Sequence, residues 1–92
     1  MATIVRTDDV LGGDPRLEGT RIGVYHVYDL VVPGGSTPEE AADQLDIDLG
    51  QVYGALSYYY ENSDEMAEVR ARHRDLEDEL RSKSTQPPST AR

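Results

Sequence analysis

Two helix-start signatures stand eleven residues apart in the middle of this chain, with almost no room between them. Thr37 is placed to cap a helix whose first residue is Pro38, and Glu40 falls where a carboxylate reaches back to the capping amide. Asp48 and Gln51 repeat the arrangement. The spacing predicts a helix over 38–45, a tight turn, and a second helix over 49–60, which is the outline of a helix-turn-helix. Ala41, Ala42 and Leu45 form the inner face of the first helix, where small side chains let two helices approach closely. Ile47 lies in the turn and is expected to plug the corner. In the second helix, Leu49, Val52, Leu56 and Tyr59 or Tyr60 share one face. Gly50, Gln51, Gly54, Ser57 and Tyr58 make the other face small and uncharged.

The bulk of the chain limits what this corner can be part of. Ninety-two residues make one small domain with a single modest core. Phe and Trp are absent, so six Tyr supply all the aromatic area, and a homodimer is expected to add burial that one copy lacks. The absence of cysteine excludes disulfides and thiolate metal sites. No stretch approaches the ~20 apolar residues of a membrane helix, and no apolar secretion segment opens the chain. A cytoplasmic protein is expected.

Eighteen acids face nine bases, of which only Lys83 is a lysine. This acid-rich, arginine-using balance suits a cytoplasm with molar salt, where screening removes the mutual repulsion of carboxylates. A halophilic source is expected, an ordinary acidic protein being the alternative. Residues 1–66 hold thirteen acids against Arg6, Arg16 and Arg21, a net of −10. Residues 67–92 hold five acids against six bases, a net of +1.

Around the corner, Ile4-Val5-Arg6 reads as a short strand, and Leu17 to Ile22 as a small hairpin turning at Gly19. Val24, Val27, Tyr28 and Val31 follow helical spacing, ended by Pro33-Gly34-Gly35, although the β-branched content also suits a strand. Asn62 and Glu65 form a third capping box, predicting a helix from about Ser63 to Arg81. Its Met66, Val69, His73, Leu76 and Leu80 alternate by three and four as a heptad seam, too short to pair stably alone. Residues 82–92 are polar, carry Pro87-Pro88 and are expected to be disordered.

Catalysis finds little support. His26 and His73 lie in separate helices, without a serine or cysteine partner at a telling spacing, and no phosphate loop or metal-ligand cluster is present. His26 reads as a helix residue beside the core. DNA binding is the natural use of a helix-turn-helix, with Gln51, Gly54, Ser57 and Tyr58 placed to meet base edges and Arg21 to meet phosphate. However, Ser36 to Tyr60 contains five acids and no base, whereas affinity for DNA comes mainly from Lys and Arg on phosphates. Arg21 also suits a structural bridge to Glu18 or Asp29. The C-terminal helix argues for a protein partner, through Met66, Val69, Arg70, His73, Leu76 and Leu80, the alternatives being that it packs back on its own core or pairs with a second copy.

Gly12-Gly13-Asp-Pro-Arg-Leu-Glu-Gly-Thr-Arg-Ile22, followed by a short helix and Gly35-Ser-Thr-Pro-Glu-Glu-Ala41, resembles the small prokaryotic family called domain of unknown function 433. The resemblance covers roughly residues 4 to 61. It implies a VapB-like antitoxin with a winged-helix or homeodomain-like fold, and a PIN-like ribonuclease toxin as partner. Asp14 stands where a basic residue is common before the proline, and Asp46-Ile47-Asp48 replaces a proline-containing turn.

The expected protein is thus mainly α with a short N-terminal β-hairpin, a helix-turn-helix and a long C-terminal helix. Its hairpin and helix-turn-helix occupy 1–62, its amphipathic helix 63–81 and its tail 82–92. The expected function is an antitoxin-like adaptor that binds a PIN-like toxin through the C-terminal helix. The alternative is a dimeric regulator that binds double-stranded DNA sequence-specifically. Neither requires a cofactor or metal.

Overall fold

A computed structural model describes residues 3–84. It is mainly helical. Strand β1 (Ile4–Val5) pairs antiparallel with β2 (Arg16–Leu17), in the register Ile4 to Leu17 and Val5 to Arg16. Four helices follow: α1 (Val24–Val31), α2 (Pro38–Leu45), α3 (Leu49–Glu61) and α4 (Ser63–Ser84). A short 3-10 turn at Leu11–Gly13 links the two strands.

The N-terminal ladder differs in partners from the hairpin expected over 17–22. The Leu17 amide does donate to the Ile22 carbonyl at 2.9 Å, and Arg16 bridges Gly23, but the return past Gly19 forms no second strand. Gly19 takes a φ of +79°, which costs glycine little. Once the chain has turned, Gly23 leads directly into α1, so the extended ladder is made with β1 instead.

Residues 24–31 resolve to helix rather than strand. Val24 and Val27 point one way and are fully buried, as a spacing of three requires. The helix stops where Gly34 turns back so closely that its amide donates to the Asp29 carbonyl at 3.0 Å. A Cβ on Gly34 would lie 2.5 Å from the Leu30 carbonyl oxygen, so only glycine fits.

The central corner forms as its caps predict. Thr37 Oγ1 accepts from the Glu40 amide at 3.1 Å, while Glu40 Oε1 accepts from the Thr37 amide at 2.8 Å. Asp46 closes α2 in the left-handed conformation, at φ 57° and ψ 49°. The Ile47 amide then donates to the Ala42 carbonyl at 3.0 Å, and Gln51 Oε1 accepts from the Asp48 amide at 2.8 Å to start α3. Ala41 and Val52 are buried, and Ile47 packs against them half-exposed. The two helices therefore close around the residues that their sequence assigned to the corner.

The break between α3 and α4 is real but lacks the expected capping box. Asn62 sits between them at φ −126° and ψ 47°. Its side-chain amide donates backwards to the Tyr58 carbonyl at 3.0 Å, closing α3 instead of opening α4. Glu65 is drawn away by Tyr58 and Arg6. Helix α4 then runs to Ser84, so residues 82–84 are helical; the remainder of the expected tail lies outside the described residues.

One core joins these pieces. Leu17, Val24, Val27, Ala41, Val52, Ala55, Tyr59, Met66 and Val69 are its buried members, drawn from β2 and all four helices. No helix among the described residues is long and apolar enough to cross a membrane.

Candidate functional site

Helix α4 has two halves with opposite environments. Met66 and Val69, expected to face a partner, are fully buried in this chain's own core. The seam leaves the body one turn later, and Leu76 and Leu80 are 52% and 54% exposed. From residue 74 to 84 the helix extends about 16 Å at 1.5 Å per residue. The seam available to another molecule is thus shorter than periodicity alone suggests.

Polar clamps hold the root of this arm. Tyr58 donates to Glu65 at 2.6 Å, and Arg6 pairs with the other oxygen of the same carboxylate. Burial and this hydrogen bond to Glu65 push the Tyr58 phenol up to about 12, so it stays a donor. Further along, Arg70 donates to the Tyr59 hydroxyl at 2.8 Å. Burial also raises the Tyr59 phenol, with its hydrogen bond to Tyr28 the next cause.

Asp14 makes the last clamp. It is the only buried polar or charged side chain among the described residues, 6% exposed, and its two oxygens take different partners. Oδ1 accepts from Arg72 at 3.0 Å, and Oδ2 lies 2.8 Å from His73 Nε2. Tyr25 of α1 stacks on the His73 ring at 4.5 Å and 15°. Burial and then the charge of Asp29 push the Tyr25 phenol up.

His26 stands near this cluster, its ring 6.4 Å from that of His73, and its Nδ1 accepts from the Gly23 amide at 3.1 Å. Leu11, His26, Tyr25, His73 and Leu76 line a cleft of about 370 Å³ beside Asp14. Among the described residues, no group of three His, Asp or Glu is placed to hold a metal ion.

Sequence reasoning treated the two histidines as unrelated and missed the role of Asp14. The available signal was Asp14 itself, an acid set between Gly13 and Pro15, with Arg72 given no role. Only the packing of α4 across α1 and the 11–14 loop brings them together.

The corner helix offers DNA less than its outline promises. Gln51 is engaged in capping α3, and the Tyr58 hydroxyl is engaged by Glu65. Ser57 is exposed and Gly54 half-exposed. Arg6 and Arg16, two of the three N-terminal bases, are engaged within the chain; Arg6 donates to the Gly13 carbonyl and pairs with Glu65, and Arg16 donates to the Thr20 carbonyl and to Thr7. Arg21 is exposed and forms neither expected bridge, to Glu18 or to Asp29.

A model of the family described as "Protein of unknown function (DUF433)" matches residues 4–59. The chain belongs to this family. The DUF433 match spans the β1–β2 pair, α1 and the helix-turn-helix, and stops two residues before the end of α3. Helix α4 thus lies outside the DUF433 segment, although Met66 and Val69 complete its core. Neither a curated protein nor a solved structure matches the chain.

Proposed function

We propose that this DUF433 protein is an antitoxin-like adaptor that docks a PIN-like ribonuclease through the distal half of α4. One observation carries the reading. The root of α4 is clamped into the body by Glu65, Arg70 and the Arg72–His73 pair, whereas Leu76 and Leu80 stand exposed on the helical extension that follows. An amphipathic helix held at a fixed angle loses less entropy on binding than a free one.

Charge favours the same class of partner. At a net charge of −9 the adaptor complements the basic groove of an RNA-cleaving protein, and its carboxylates stand in for substrate phosphates. The same charge disfavours a nucleic-acid ligand. Among the residues that would face DNA, α3 supplies no cation between Leu49 and Tyr60.

The test uses the full chain. Leu76→Asp and Leu80→Asp, singly and together, should abolish co-purification with a PIN-like protein encoded beside this one, while circular dichroism stays unchanged. Undiminished binding by the double variant refutes the arm as the docking element.

A further inference from the structure

Helix α3 carries a second exposed apolar surface that the adaptor reading leaves unused. Leu49, Tyr53, Leu56 and Tyr60 recur at spacings of four, three and four, which sets them along one side of the helix. Leu49 is 38% exposed, Tyr53 51% and Tyr60 61%, with Leu56 half-buried beneath them. Tyr60 meets Tyr28 of α1 edge-on at 6.2 Å, and Val32, one turn after Tyr28, is 44% exposed. The stripe therefore continues onto the end of α1 as one patch. Patches of this kind on a small soluble chain mark contact surfaces.

The charge pattern indicates what covers it. From Leu49 to Tyr60 twelve consecutive residues carry no charge, in a chain where acids outnumber bases by eighteen to nine. Two copies that meet through the acidic surface of residues 1–48 must desolvate unmatched carboxylates, which is costly. Along α3 they meet without burying any ionised group, and Gly50 and Ser57 beside the tyrosines leave room for a second helix. Each contact of the patch with its own copy is also made twice, as a twofold interface requires.

We infer that α3 is a homodimer interface, in which Leu49, Tyr53 and Tyr60 of two copies pack across a twofold axis. This inference goes beyond the adaptor reading and does not rest on it, since α4 remains outside the interface.

The interface has a salt signature. Asp48 and Glu61 bracket the uncharged stretch, and each copy carries a net −9, so long-range repulsion opposes association in dilute buffer. Screening contracts from about 10 Å at 0.1 M salt to about 3 Å at 1 M, while the apolar contact remains. Dimerisation should therefore strengthen as salt rises, opposite to an interface built on ion pairs.

Sedimentation equilibrium of the full chain at about 0.1 M and about 2 M KCl tests this. The expected result is a dimer whose population rises with salt. Tyr53→Asp should weaken it by about tenfold or more, because the new carboxylate would be buried unpaired. Ser57→Asp, exposed one turn after Tyr53 at the edge of the stripe, gives the same reading if Tyr53→Asp fails to fold. Leu76→Asp should leave the dimer unchanged. A wild-type monomer at both salts, dimerisation undisturbed by both α3 variants, or loss of the dimer in Leu76→Asp overturns the inference. The last result would assign self-association to α4, while co-purification of the PIN-like protein would be judged separately.

Discussion

Replacing Asp14 with Asn tests whether the clamp on α4 is energetically significant. The substitution keeps the shape and one acceptor oxygen but removes the charge that faces Arg72 at 3.0 Å and His73 at 2.8 Å. It also puts an amide N–H₂ in place of one of the two acceptor oxygens, inside a site only 6% exposed. A hydrogen bond to a charged group contributes about 1.5–3 kcal/mol. The Arg72 side chain is 57% exposed, so solvent recovers most of its loss and its share falls to about 0–1 kcal/mol. His73 is 32% exposed and stacked on Tyr25, so it retains more of the full value.

Together these give a destabilisation of about 2 kcal/mol. For a domain of this size that lowers Tm by about 8–16 °C. Thermal unfolding followed by far-ultraviolet circular dichroism measures the shift. Hydrogen exchange should show added loss of protection along residues 72–80, because the clamp is the last tie before the arm leaves the body. A shift below about 2 °C would correspond to under about 0.5 kcal/mol and would refute the reasoning. The Asp14 cluster would then be a surface coincidence.

Two further outcomes follow from the same geometry. Met66→Ala should destabilise the fold by about 2–5 kcal/mol in urea unfolding, since Met66 is fully buried; a change below about 1 kcal/mol would show that α4 does not complete the core. Tyr58 titrates at about 12 when folded against 10.0 otherwise, so its contribution is fully present below pH 10 and is lost as pH rises through about 12. Tyr58→Phe should therefore be less stable than the parent at pH 8, with the gap in Tm closing between pH 10 and 12; a gap constant over that range contradicts the assignment.

The local features of this fold were legible in the sequence because they are decided within a few residues. The Thr37–Glu40 box, the Pro38 start and the Asp48–Gln51 box depend on backbone groups three or four residues apart. So the bounds of α2 and α3, and the burial of Ala41 and Val52, follow from spacing alone. Even α1, ambiguous in composition, showed its period in Val24 and Val27. The third capping box failed for a non-local reason: Tyr58 and Arg6 claim Glu65 once α3 and β1 are in place.

Periodicity identified the apolar face of α4 but not its division into a buried root and an exposed arm. That division depends on where the body ends, which only the packing of β2 and α1–α3 decides. The same holds for Asp14, His73 and Tyr25, separated by up to 59 residues in the chain yet in contact. Hydrogen bonding within a turn is encoded by neighbours, whereas contact between distant side chains depends on the summed geometry of every element between them. The sequence determined the helices and their corner. Tertiary structure decided which of their faces remain available to other molecules.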